Sequence, residues 1–234
     1  MSKKWVYLFE EGDASMKYVL GGKGANLAEM SKMGLPVPGG FTITTDACNE
    51  YNRLGGKLPE GLMDQVREAM THVEKTMSRN FGAVVDPLLV SVRSGAAFSM
   101  PGMMDTILNL GLNRQTLLGL ADATNNPRFA YDANRRFIMM FGDVVLDIPK
   151  SRFEKVLAQH KQRLGVKLDT QVGSAAMQEV CNDYLALVLK ETGQGFPGDP
   201  WKQLEMAIEA VFKSWNNERA KIYRKREEIP DDLG

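Results

Sequence analysis

The 234-residue chain carries 29 Lys plus Arg against 29 Asp plus Glu, with 44% hydrophobic residues. That balance excludes a global field for nucleic acid or an anionic membrane, and the length suffices for one large domain or two smaller ones. The two cysteines, Cys48 and Cys181, form neither a disulfide framework nor a zinc spacing; with no apolar leader core before Asp13 and no run near the roughly 18 residues of a membrane span, a reducing, cytoplasmic setting is expected.

In chain order, Trp5 to Phe9 is apolar and aromatic enough for a first strand. Leu20-Gly-Gly-Lys-Gly-Ala-Asn26, followed by Leu27, Met30 and Met33 at helical spacing, predicts a glycine turn feeding a helix N-terminus with Lys23 at the junction. Helix starts collect unpaired N–H groups and a positive dipole end, so anions are favoured there. It is not a phosphate loop of the Walker type, since Lys17 and Gly24 stand where Gly and Ser or Thr are needed. A dinucleotide fingerprint fails at Leu27. Taken alone, Gly-Gly-Lys-Gly is more often a plain turn, by roughly three to one, because short glycine motifs are so permissive.

Phe41 to Thr44 predicts a second strand, Thr44 or Thr45 a cap for the helix through Tyr51, and Gly55-Gly56 its end. Leu62, Val66, Met70, Val73 and Met77 give the next helix one apolar face, with His72 beside it as a surface or boundary residue. Leu88 to Val92 and Thr106 to Leu110 each have strand length and composition. Between them, Ser94 to Asp105 is mostly Gly, Ala, Ser, Pro and Met, a long connection of the kind that is functional or disordered. Arg93 ends the first of these strands, and accessible backbone amides in such a loop can cradle an anion. From composition alone, a hairpin with a mobile loop and one surface arginine explains these residues equally well.

From Asn113 to about Thr192 the pattern is helical throughout. Asn126 with Pro127 opens a helix whose stripe takes in Phe129, Ala133, Phe137, Met140, Phe141, Val144 and Val145. Phe153, Val156, Leu157, His160 and Leu164 make a second face, with His160 at the edge of the core. Met177, Val180, Cys181, Tyr184, Leu185 and Val188 make a third, and Gly193 to Pro200 leads out. A last helical region carries Trp201, Leu204, Ile208, Val211, Phe212 and Trp215. The basic cluster Arg219, Lys221, Arg224, Lys225 and Arg226, followed at once by acidic residues, reads as a solvated helix face.

Several strings resemble the pyruvate, phosphate dikinase family. They are Ser91-Val-Arg-Ser-Gly-Ala with Ser99-Met-Pro-Gly-Met-Met-Asp-Thr-Ile-Leu-Asn-Leu-Gly-Leu-Asn113, and Phe9-Glu-Glu-Gly-Asp-Ala-Ser-Met16. Leu20 to Met30, Gly34 to Thr45, Asn126 to Asp132, Ala210 to Ala220, Tyr223-Arg224 and Ile229-Pro230 extend the likeness along the chain. The resemblance implies an α/β (α+β) fold, an ATP-grasp-like nucleotide-binding subdomain with a helical insert. Residues 1–112 plus 198–234 would form the α/β part and 113–197 the all-helical insert. The family interconverts ATP, phosphate and pyruvate with AMP, pyrophosphate and phosphoenolpyruvate, using Mg²⁺ and a phosphohistidine.

The family pattern gives Lys23 and Arg93 to the ATP phosphates as the catalytic cations, and Gly102, Met103, Met104, Asp105 and Thr106 to a loop closing over them. The metal-holding carboxylates, phosphohistidine and pyruvate domains would lie outside this chain, as would the homodimer contacts of the parent enzyme. Neither His72 nor His160 lies in a phosphohistidine motif, so the chain alone is expected to be an inactive ATP-binding fragment. The alternatives are a fragment of a phosphoenolpyruvate synthase-like water dikinase and a non-catalytic interaction module on the same fold.

Overall fold

The computed structural model describes residues 3–98, 100–231 and 233. Its elements in chain order are β1 (Val6–Leu8), α1 (Lys17–Lys32), β2 (Phe41–Ile43), α2 (Thr45–Arg53), α3 (Leu62–Met77), β3 (Val90–Arg93) and β4 (Thr106–Leu110). They continue with α4 (Arg114–Thr124), α5 (Pro127–Val144), α6 (Lys150–Leu164), α7 (Ser174–Thr192), α8 (Pro200–Ser214) and α9 (Glu218–Arg226). The fold is thus mixed and helix-rich, with β1 paired to β2 and β3 to β4. Among the described residues, no helix is long and apolar enough to cross a membrane. The chain divides into two compact units, one of residues 1–78, 93–105 and 208–234, the other of 79–92 and 106–207.

In the first unit, β1 and β2 run antiparallel with Val6 opposite Ile43 and Leu8 opposite Phe41. Helix α3 packs against both strands. It buries Leu62, Val66, Met70 and Val73, one stripe of a 3.6-residue period. Gln65 on the same helix satisfies the strand start: its Oε1 accepts from the Trp5 and Val6 amides at 2.7 and 3.2 Å, and its Nε2 donates to the Lys3 carbonyl at 2.8 Å. The Thr44 hydroxyl caps α2 by accepting from the Ala47 amide at 3.2 Å. Cys48 and Tyr51 of α2 are buried, Tyr51 with its ring 5.4 Å from that of Phe212.

Arg224 corrects the reading of the basic cluster as a solvated face. It is 2% exposed, its guanidinium lies 4.0 Å from the Trp215 ring, and it donates to the Trp215 carbonyl and to Asp231. Helical periodicity could not reveal this, because the partners lie on a turn before α9 and in the tail after it. His72 matches its boundary reading, half exposed with Nε2 2.5 Å from a Glu10 oxygen.

The second unit has its core among α5, α6 and α7. Ile138, Phe153, Leu157, Met177, Val180, Cys181, Tyr184 and Val188 meet there. Asn126 accepts from the Phe129 amide at 3.0 Å and Pro127 opens α5, as the sequence predicts. Every regular element described between 113 and 197 is helical. Three expected core positions turn out exposed: Phe129 (48%), Leu164 (42%) and Leu185 (38%). They lie at helix ends or stripe margins, where a small error in face angle moves a side chain outward. His160 is buried at the core edge with Nε2 2.7 Å from Asp183.

Candidate functional site

The glycine stretch before Lys23 is more unusual than a turn feeding a helix. Helix α1 already begins at Lys17, breaks at Gly21 and restarts at Gly22. Gly21 has φ +70°, and a Cβ built on it would come within 1.3 Å of the Gly95 carbonyl oxygen. Only glycine offers both that backbone and that clearance. Gly24 is similarly crowded, its missing Cβ falling 2.7 Å from the Thr42 methyl on β2. The break therefore lets the 94–97 segment lie directly on the restarted helix.

Two bonds fasten that contact. The Gly22 N–H, an orphan donor of the new helix start, donates to the Ala96 carbonyl at 3.0 Å. The Lys23 ammonium donates to the Ser94 carbonyl at 3.0 Å. Lys23 is thereby held against the residue that follows Arg93 in the chain. The Arg93 side chain is exposed. Lys17 lies over the Phe98 ring at 5.0 Å, and Ala97 and Met100 of the loop are buried.

The other end of the loop is fastened too. Met103 N–H closes a turn on the Met100 carbonyl at 3.1 Å, with Gly102 at φ +72° within it. The Ser94 hydroxyl donates to Met104 Sδ at 2.8 Å. Asp105 accepts from Asn217 Nδ2 at 3.3 Å and from Arg219, whose Nε also donates to the Met103 carbonyl at 3.1 Å. Thr106 begins β4. Lys23, Arg93 and Gly102 to Asp105 thus lie in the first unit, and Thr106 is the first residue of the second unit after the loop. Ser99, part of the loop motif, lies outside the described residues.

Sequence spacing missed Arg219 and Asn217 as loop partners. The only available signal was the longer string from Ala210 to Ala220, which resembles the family as the loop does. Chemically, the assembly offers a fixed ammonium, an exposed guanidinium and a glycine-relieved helix start beside an amide-rich loop. That set suits the oxygens of a phosphate chain. It does not suit a divalent metal. Asp105 is taken up by Arg219 and Asn217, and among the described residues no three His, Cys, Asp or Glu side chains are arranged to hold a metal ion.

The family described as Pyruvate phosphate dikinase, AMP/ATP-binding domain, matches residues 17–63 and 54–233. The chain is 53% identical over 233 residues to the pyruvate, phosphate dikinase of Clostridium symbiosum, covering 99% of this chain and 26% of that protein. It is 52% identical to pyruvate, phosphate dikinase 1, chloroplastic, of Arabidopsis thaliana, covering 98% of this chain and 24% of that one. The pyruvate, phosphate dikinase of Rhizobium meliloti is 51% identical, with 99% and 26% covered. The chain thus spans about a quarter of the length of these relatives, and it belongs to the pyruvate phosphate dikinase AMP/ATP-binding domain family.

Proposed function

We propose that this chain forms part of the ATP-phosphate site of a pyruvate, phosphate dikinase, on an ATP-grasp-like subdomain carrying residues 113–197 as a helical insert. The observation that carries the reading is the Lys23 ammonium held on the Ser94 carbonyl, next to Arg93, over a helix start that only glycine permits. The held Lys23 ammonium and the exposed Arg93 guanidinium would stabilise charge passing between phosphoryl oxygens in a loose transition state. The loop from Gly102 to Thr106 covers the phosphates and keeps water from them. Mg²⁺ supplies further charge neutralisation on the triphosphate when bound, from carboxylates outside this chain.

On this reading the whole enzyme passes a phosphoryl group from ATP through a histidine to pyruvate, in a cytoplasmic homodimer, and the remaining domains are the chain's partners. The 234-residue chain alone then yields no AMP in a coupled assay with ATP, phosphate and pyruvate. Calorimetry with Mg·ATP tests the site. Lys23→Ala and Arg93→Ala are each expected to weaken binding by at least about tenfold, roughly 1.4 kcal/mol. Unchanged affinity in both variants, with wild type binding, removes the assignment.

A further inference from the structure

We propose that Arg219 is the positioning residue of the 94–105 loop, setting its last turn for the phosphate site; the inference rests on the functional reading above. Arg219 stands in the first turn of α9, two residues after Asn217 at the N-cap position. Its Nε–H donates to the Met103 carbonyl at 3.1 Å while Nη2 pairs with the Asp105 carboxylate. The second Asp105 oxygen accepts from Asn217 Nδ2 at 3.3 Å. Met104, between them, is held through its sulfur by the Ser94 hydroxyl at 2.8 Å.

An exposed ion pair by itself contributes little, and the Arg219 side chain is 52% exposed. What sets this one apart is where the bonds fall. They converge on consecutive residues directly after Gly102, which has φ +72° and no atom within 4 Å of where its Cβ would be. The turn therefore has no packing of its own at Gly102, and its orientation comes from the grip on Met103 and Asp105. A planar guanidinium reaches a carbonyl and a carboxylate together, which an ammonium does less well. The carboxylate also lies by the N-terminal end of α9, where the helix dipole favours negative charge. Arg219 touches no phosphate in this scheme; it acts through the loop.

The test uses the full chain and the variants Arg219→Ala, Arg219→Lys and Asp105→Asn. Amide hydrogen exchange read by mass spectrometry is expected to quicken about tenfold in peptides covering 100–106 for Arg219→Ala and Asp105→Asn, with partial rescue by Arg219→Lys. Peptides from β1 and α3 stay unchanged. Affinity for Mg·ATP falls about fivefold or more while affinity for AMP, which lacks the β- and γ-phosphates, does not. Unchanged exchange at 100–106, or equal quickening everywhere, overturns the inference. Loosening without ATP-specific weakening overturns it as well, provided wild type binds Mg·ATP. A loosened loop in a chain whose wild type binds no nucleotide leaves the loop grip standing and removes the phosphate-site reading instead.

Discussion

Neighbouring glycines in α1 carry opposite predictions. At Gly21 an alanine meets both a left-handed φ and the Gly95 carbonyl oxygen 1.3 Å from its Cβ. Gly21→Ala is therefore expected to cost about 2 kcal/mol or more and to lower the thermal midpoint followed by far-ultraviolet circular dichroism. At Gly22 a Cβ has ordinary contacts, 3.5 Å and 3.6 Å to the Ala96 and Ala97 carbonyls. Gly22→Ala should be neutral or stabilising by up to about 1 kcal/mol, because alanine is the better helix former. Equal loss in both variants would sink the account of the helix break. The sequence made the glycines and Lys23 legible, since the string itself marks a break before a helix. It could not show that Gly21 yields its volume to Gly95, a residue brought near only by folding. Arg224 failed for the same reason, because burial by Trp215 and Asp231 depends on turns that leave no periodic trace.

Where one helix crosses another, the close approach is again set by a missing side chain. A Cβ on Gly142 of α5 would fall 2.4 Å from the Phe153 Cζ on α6. Gly142→Ala is expected to destabilise by about 1–3 kcal/mol through overpacking, despite its better helix propensity. A urea titration showing no loss would mean that the Phe153 ring moves aside freely. Elements with a local signature were read from sequence with nearly correct ends. The cap at Thr44 or Thr45, which falls at Thr44, the Asn126-Pro127 start and the Val66–Met70–Val73 stripe are examples. The stripe of α5 was drawn too wide at Phe129, because an apolar residue in a first helical turn satisfies the pattern whether or not anything covers it. The clamp on the loop was illegible at this scale. Asp105 and Arg219 belong to different elements, and no pattern within either announces the other.

Taken as a whole, the molecule has its weak side at alkaline pH. Burial pushes the Cys48 thiol up to about 12, the Cys181 thiol to about 11 and the Tyr184 hydroxyl to about 12. In the unfolded chain these groups titrate near 8.5 for thiols and 10 for tyrosine. Above those values the unfolded state has released protons that the native state still holds, so stability falls as pH rises. Both units share the effect, since Cys48 lies in the first and Cys181 and Tyr184 in the second. Urea titrations are expected to give a lower unfolding free energy at pH 10.5 than at pH 7.5, with the gap narrowed in Cys48→Ala relative to its own neutral value. A flat profile over that range would contradict the burial of these groups.

The first unit is assembled from separate lengths of chain, 1–78, 93–105 and 208–234, whereas the second is complete by residue 207. During synthesis the ribosome therefore delivers everything the second unit needs before the first has its closing piece. Residue Cys48, which packs against Phe212 across 164 positions of chain, must wait until that later segment has been made. Until then α2 lacks the covering that Phe212 brings, and its apolar face is open to chaperones or to other nascent chains. A stop codon in place of residue 208 should consequently leave a folded second unit attached to an unfinished first one.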